Sequence, residues 1–522
     1  MANKVKDGQA TETKVLRKLG INETYQLAMY LLDQYRGTTL SCRYEIPPKF
    51  APAESRGQLE QAVKVAVVDI IMRHPMLQVS MIDATSKTPS WIQLQSLDLT
   101  QHIKWVHLTA DDDLERVVDE TFRTQLDDRF PDLSIKQPYW KITVIRQGDA
   151  PIMEVLLTWN HPWFDAMGAK VFHEDFVEIL NADNGAHERT GLDGDVLKLP
   201  EAAPLLPTPI EILTGTPVDL KVLARALWED MRPQFLNRDV SWAAWCPIRP
   251  TPYKTQFRAF WMDNASVTAI QALCRQNKTT VTGLINGLAL IAFSSHLDAA
   301  AAPGFQSSTI VDHRRNLPPA PADAPWGKSD RAVSNYVTQC LHRWEPELAA
   351  RIRSKLPAAD TSGEGGKGGK ELSVDLQREL WAASARNRNE IVAKLKTGLQ
   401  NDLIGLFKYV TDWQQTMGDM AKKKRQFSWL VTNIGVLGGG GADTKNESDG
   451  DGQKSNGWSM SRAQFGLSVE VPSAAMELSP VSVAGRGMSV GASWPDCAVD
   501  ATLAERIMAD LERWLAQLAT QS

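Results

Sequence analysis

Trp159-Asn160-His161-Pro162-Trp163-Phe164-Asp165-Ala166-Met167-Gly168 is the stretch on which the reading of this chain turns. Upstream, residues 152–159 are rich in Ile, Val, Leu and Trp and predict a strand. Downstream, the apolar residues of 169–180 recur at helical spacing. Pro162 disfavours helical geometry at His161, so a strand delivers this histidine into a loop. Asp165 follows four residues on, and Gly168 permits a close backbone approach before the helix. An imidazole titrates near neutrality, so it can take up a proton and return it. Three plainer roles compete on spacing alone: a hydrogen-bonded core histidine, a His161–Asp165 metal pair, or an Asp165 that only caps the helix. The metal reading is the weakest. Pro162 spoils the i,i+4 helical face and only His173 offers a nearby third ligand, so no metal site is expected.

Outward from this stretch, residues 59–71 predict an amphipathic helix stopped by His74-Pro75, and residues 78–82 a strand. Residues 111–126 read as a helix with Asp111, Asp112 and Asp113 at its start, and 139–146 as a strand partner for 152–159. Periodicity weakens between 183 and 253, where prolines cluster, and one helix is expected over 219–231. A strand at 256–262 opens the second half. Helices follow at 266–276 and 282–296, strand-like runs at 308–312 and 335–341, and mostly helix over 371–424. A strand at 427–432, another over 481–493 with Gly485 and Gly487 at a turn, and a closing helix over 499–516 complete it. Residues 358–370 and 438–457 are Gly-rich and charged and read as mobile insertions, because they cannot bury enough apolar area to offset the entropy of ordering. Neither has the spacing of a phosphate-binding loop.

Strands and helices alternate irregularly in both halves, which predicts an α/β (α+β) protein with mixed sheets flanked by helices. The expected organisation is a disordered leader at 1–14, a first lobe at 15–182, a crossover linker at 183–253 and a second lobe at 254–522. The 522 residues carry 57 Lys plus Arg against 62 Asp plus Glu, a net charge of −5. No surplus of positive charge draws the chain to nucleic acid or anionic lipid. No apolar run approaches the ~18 residues of a membrane span, and the polar leader has no signal-peptide core. Five scattered cysteines without a CxxC pair exclude a disulfide framework and fit a reducing, cytoplasmic setting. The 17 tryptophans, against 8 tyrosines, are expected mainly as core anchors, with a few available to an apolar ligand.

The HxxxDxxG pattern of His161, Asp165 and Gly168 after an apolar strand resembles the signature of the CoA-dependent acyltransferase superfamily. That group includes chloramphenicol acetyltransferase, the BAHD acyltransferases and condensation domains. Within it the chain is most similar to the fungal alcohol O-acetyltransferases. Further segments carry the likeness in order over residues 15–515: Leu16 to Ala28 running on to Ser41-Cys-Arg-Tyr44 as opening helix and first strand, His74-Pro-Met-Leu77, Val311-Asp-His-Arg-Arg315, Ser334-Asn-Tyr-Val337 and Val431-Thr-Asn-Ile-Gly435. Asn160 stands where condensation domains carry a second histidine, which argues against a carrier-protein condensation domain. Thr432 stands where the family often has Ser. The BAHD Asp-Phe-Gly-Trp-Gly motif is absent.

The resemblance implies two similar lobes with a tunnel between them and His161 at its middle. It implies an acyl-CoA co-substrate, acetyl-CoA first, with no bound cofactor. The acceptor would be the hydroxyl of an apolar small molecule such as a fungal terpenoid or polyketide alcohol, in secondary metabolism. His161 would act as general base in a ternary complex. Asp165 would orient the loop through a pair with Arg314. Thr432 and Asn433 are the oxyanion candidates. Trp163, Phe164 and Met167 are candidates to shape the acceptor side, with core packing as the competing role. Lys254 and Arg258 are candidates for the CoA phosphates, with Lys422 to Arg425 as a further basic run. A monomer suffices for such a tunnel. Two other readings keep the fold: a cyclase or pericyclase working without CoA, and a non-catalytic small-molecule-binding protein.

Overall fold

The computed structural model describes residues 14–131, 137–182, 189–231, 239–249, 252–356, 371–440 and 457–521. Two mixed sheets organise it. The first runs, in spatial order, Ser459–Leu467, Gly37–Glu45, Ile152–Asn160, Trp140–Gln147 and Ile103–Leu108. Only its last pair is parallel. The second runs Thr255–Asp263, Gly487–Pro495, Ala474–Val483, Phe427–Val431, Phe305–Asp312 and Val337–Trp344, with Gly435–Leu437 also paired to Ala474–Val483. The expected mixed α/β architecture in two lobes is what forms.

Each sheet is covered by helices whose sequences demand it. Helices Arg56–Arg73 and Ala166–Ala182 pack together over the first sheet, burying Val63, Val67, Ile70, Phe172 and Phe176 in one core. Helix Val281–His296 is apolar on nearly every face and is accordingly sandwiched between its sheet and helices Val374–Thr397 and Ala501–Thr520. Among the described residues no helix is long and apolar enough to cross a membrane.

Three local expectations change, and the mostly helical reading of 371–424 gains detail. The opening segment is a strand, Val15–Lys18, and then a helix, Ile21–Leu31, rather than one helix. Gly20 is extended there and donates its N–H to the Glu23 carboxylate at 2.6 Å, which starts the helix anew. Residues 371–424 hold three helices, Val374–Thr397, Leu403–Phe407 and Trp413–Met420, the first ended by Gly398 at φ +57. The single strand expected at 481–493 is a hairpin, Ala474–Val483 and Gly487–Pro495, turning through Gly485 at φ +69 and Gly487 at φ +155. Finally, the unanticipated strand Ser459–Leu467, from the segment assigned to the second lobe, lies in the first sheet against Gly37–Glu45. The leader up to residue 13, the insertion at 358–370 and residues 441–456 of the insertion at 438–457 lie outside the described residues.

Candidate active site

Strand Ile152–Asn160 ends one residue before His161. Its reversal is fixed by two bonds: the Trp159 indole N–H donates to the Phe164 carbonyl at 2.7 Å, and the Trp163 N–H to the Asn160 carbonyl at 3.2 Å. Asp165 then caps the next helix, accepting from the Gly168 N–H at 3.0 Å. A Cβ at Gly168 would meet the Phe164 side chain at 3.0–3.3 Å, which explains glycine at this position.

Asp165 does more than cap. Its two oxygens receive Nη1 and Nη2 of Arg314 at 2.9 Å each, and one of them also accepts the Tyr336 N–H at 2.8 Å. Arg314 gives further bonds to Asp312 and to the carbonyls of Ala332 and Ser334. The Asp165 N–H donates to the Ser334 carbonyl at 3.1 Å. Both side chains are buried. Burial alone would lower the Arg314 pKa, but the charges of Asp165 and Asp312 outweigh it and raise it. Three segments quoted from the sequence thus converge on one buried ion pair.

His161 is buried, and desolvation lowers its pKa to about 4, against the upward pull of Asp165 and of a hydrogen bond from the ring to its own backbone carbonyl. The Asn335 amide lies 3.1 Å from Nδ1 and 3.3 Å from the same carbonyl, and Tyr35 meets the ring edge-on at 5.7 Å. Nε2 has no hydrogen-bond partner among the described residues. The histidine is therefore held at Nδ1 by Asn335 and free of protein partners at Nε2 among the described residues.

It lines a cavity of about 100 Å³ that strands and helices of both lobes enclose. Thr432 and Asn433, at the end of strand Phe427–Val431, reach the same cavity. The Thr432 hydroxyl is buried without a partner among the described residues. The Asn433 amide is committed, donating to Thr282 at 3.0 Å and accepting from the Gly435 N–H at 2.8 Å. Met167 lines the cavity, but Trp163 and Phe164 do not. Trp163 turns into the first core, its indole N–H bonded to the Val79 carbonyl and its ring between Trp91 and Tyr139; Phe164 stacks on Trp159. The reversal at Pro162 sends both rings behind the loop, so packing is their role.

The basic candidates lie apart from this cavity. Arg258 is neutralised by Glu505 at 2.8 Å and Glu512 at 2.9 Å, so its charge is not open to a phosphate. Lys254 is exposed and its backbone N–H is held by Asp496. Arg425 is buried, with its guanidinium on the carbonyls of Cys246, Ser473 and Ala474 rather than on a solvated face. Among the described residues no group of three or more His, Cys, Asp and Glu could hold a metal ion. Sequence reasoning passed over Asn335 as a partner of His161, although it quoted the segment. It missed Glu470 and Glu477, two buried carboxyls on the same cavity.

Residues 116–326 match the family model described as alcohol acetyltransferase. The chain is 23% identical over 514 residues to the probable alcohol acetyltransferase FCK4 of Fusarium pseudograminearum, covering 97% of this chain and 96% of that protein. It is 19% identical over 499 residues to the probable alcohol acetyltransferase crmB of Aspergillus fumigatus, with 93% and 96% covered. Among solved structures it resembles TRI3 trichothecene 15-O-acetyltransferase of Fusarium sporotrichioides, at a TM-score of 0.64 and 12% identity over 99% of this chain and 96% of that one. The starter condensation domain of rhizomide synthetase RzmA, solved with C8-CoA, shares the fold at a TM-score of 0.52 and 12% identity, with 97% and 94% covered. The resemblance to the alcohol acetyltransferases read from the sequence is borne out, and with it the reading of the chain as an acyltransferase.

Proposed function

We infer that this acyltransferase moves an acyl group, acetyl first, from acyl-CoA to the hydroxyl of an apolar small molecule, a fungal secondary metabolite such as a terpenoid or polyketide alcohol. The observation that carries the reading is the buried His161 ring, held at Nδ1 by Asn335, with an Nε2 that has no partner among the described residues, on a cavity lined from both lobes. Nε2 takes the acceptor O–H proton as the oxygen attacks the thioester carbon. The Thr432 hydroxyl, buried and without another partner among the described residues, donates to the developing oxyanion. When the C–S bond breaks, the imidazolium returns its proton to the departing CoA thiolate. No acyl-enzyme is required. Base help of this kind contributes about 10²- to 10⁴-fold. Asp165 takes no proton; paired with Arg314, it positions the loop that carries His161.

Thiol release from acetyl-CoA, measured against a panel of apolar alcohols, tests this. Acceptor-dependent release that vanishes in a folded His161→Ala protein is the expected result. Release unchanged in that variant overturns the base assignment. No release, together with no CoA binding by calorimetry, overturns the transfer itself and favours a CoA-independent cyclase or binding protein.

A further inference from the structure

Glu470 and Glu477 are 8% and 3% exposed and line the cavity of His161. Among the described residues neither has a Lys, Arg or His nitrogen within ion-pair distance. Arg425, whose charge reaches Glu477, spends its hydrogen bonds on three carbonyls. The pair is tied together by the Glu470 N–H, which donates to the Glu477 carboxylate at 3.3 Å. Gln26 is 7% exposed and lines the same cavity; its side chain, like that of Ser473, adjoins the Glu470 carboxyl, and its Oε1 has no partner among the described residues. The adjoining wall is apolar, formed by Tyr25, Phe407 and Leu430. Two buried carboxyls without a cation, an orphan amide oxygen and an apolar wall form a site with acceptors and no counter-charge.

We propose that Glu470, Glu477 and Gln26 form an acidic subsite that receives a protonated amine on the acceptor molecule, while the acceptor hydroxyl lies at His161. This rests on the acyl-transfer reading above for the hydroxyl end only. An ammonium brings three donors and one positive charge, which match two carboxyls holding one proton between them plus the Gln26 oxygen. A neutral hydroxyl brings one donor and no charge, so it matches this set of acceptors less well. Burial pushes both carboxyl pKa values up, and the Glu470 charge pushes Glu477 further, so the empty pair holds protons that an incoming cation displaces. The acceptor class is then an amino alcohol with an apolar stem. The protonated nitrogen has no lone pair, so transfer goes to oxygen.

Calorimetry on the full chain near pH 7.5, with hexylamine and 1-hexanol as probes, tests the subsite without turnover. The ammonium is expected to bind at least about tenfold tighter, with a buffer-dependent enthalpy that reports proton release. The preference is expected to disappear in the Glu470→Gln/Glu477→Gln protein, or in Glu477→Gln if the double variant does not fold. Equal binding of the two probes, or a preference that survives both substitutions, overturns the proposal. Thiol release with 6-amino-1-hexanol and 1-hexanol separates the two inferences. Equal turnover of both alcohols refutes the subsite and leaves the transferase standing. No release with either and no CoA binding, alongside the expected ammonium binding, leaves the subsite standing and overturns the acyl-transfer reading.

Discussion

A histidine whose folded pKa is about 4 remains a competent base far below neutrality. The acid limb of the pH profile of kcat/KM is expected near pH 4 rather than near the ~6.5 of a free imidazole. The same shift acts on stability. His161, and His173 with a pKa also lowered to about 4 by burial, stay neutral in the fold while the unfolded chain binds their protons. Their contribution is present above about pH 6.5 and is lost as pH falls towards 4. Glu470 and Glu477 act oppositely, because their raised values favour the fold below the unfolded value near 4.5 and cost stability as pH rises. Glu477→Gln is therefore expected to raise the melting temperature at pH 8 and to leave it nearly unchanged at pH 4.5. Removing one member of the Asp165–Arg314 pair leaves a buried charge alone, so Asp165→Ala is expected to lower stability by about 3–5 kcal/mol in urea unfolding. Asp165→Leu/Arg314→Met is expected to regain much of that stability without regaining activity, because the loop loses its anchor. His161, Asp165 and Arg314 were legible because each sits in a short ordered motif. Glu470 and Glu477 were not, because an acidic side chain read alone defaults to solvent. Nor could spacing tell that Trp163 and Phe164 face the core, since the turn decides their direction.

At the scale of elements, strand Ser459–Leu467 bridges the two sheets. A Cβ on its Gly466 would meet Phe257 at 2.8 Å and Phe122 at 2.9 Å; one on Gly491 of the second sheet would meet the Phe465 carbonyl at 2.8 Å. The lobes approach this closely only because both positions lack side chains. Gly466→Ala is expected to cost about 1–3 kcal/mol by overpacking, and to lower kcat/KM because the cavity draws walls from both lobes. Urea unfolding and thiol release measure the two effects. The sequence Ser-Met-Ser-Arg-Ala-Gln-Phe-Gly-Leu is too polar to announce a strand, and its burial comes from neighbours on both sheets. The helices over 56–73, 166–182 and 281–296 were legible because their apolar residues alone demand a covered face. The hairpin around Gly485 was half legible: the glycines marked a turn, but the strand before it, Ala474–Val483, carries Glu477, Ser479 and Pro480 and did not read as a strand over its full length.

Over the whole molecule, the first lobe is not a segment of chain. Four strands of its sheet come from before residue 161 and the fifth from Ser459–Leu467. Thr255, opening the second half, is bonded to Asp127 of the first at 2.7 Å, and Phe257 meets Phe122 at 4.7 Å. The full chain is expected to melt in one cooperative transition by circular dichroism. A chain ending at residue 253 is expected to lack a stable fold, because Gly37–Glu45 would become a bare sheet edge.

That borrowed strand also sets a clock. A ribosome emits about 300 residues between Asn160 and Leu467, which at roughly 5–20 residues per second takes about 15–60 s. Through that interval a nearly complete sheet waits outside the exit tunnel with one margin bare, so the newborn chain is open to chaperones, and to its own siblings, for the whole of the wait.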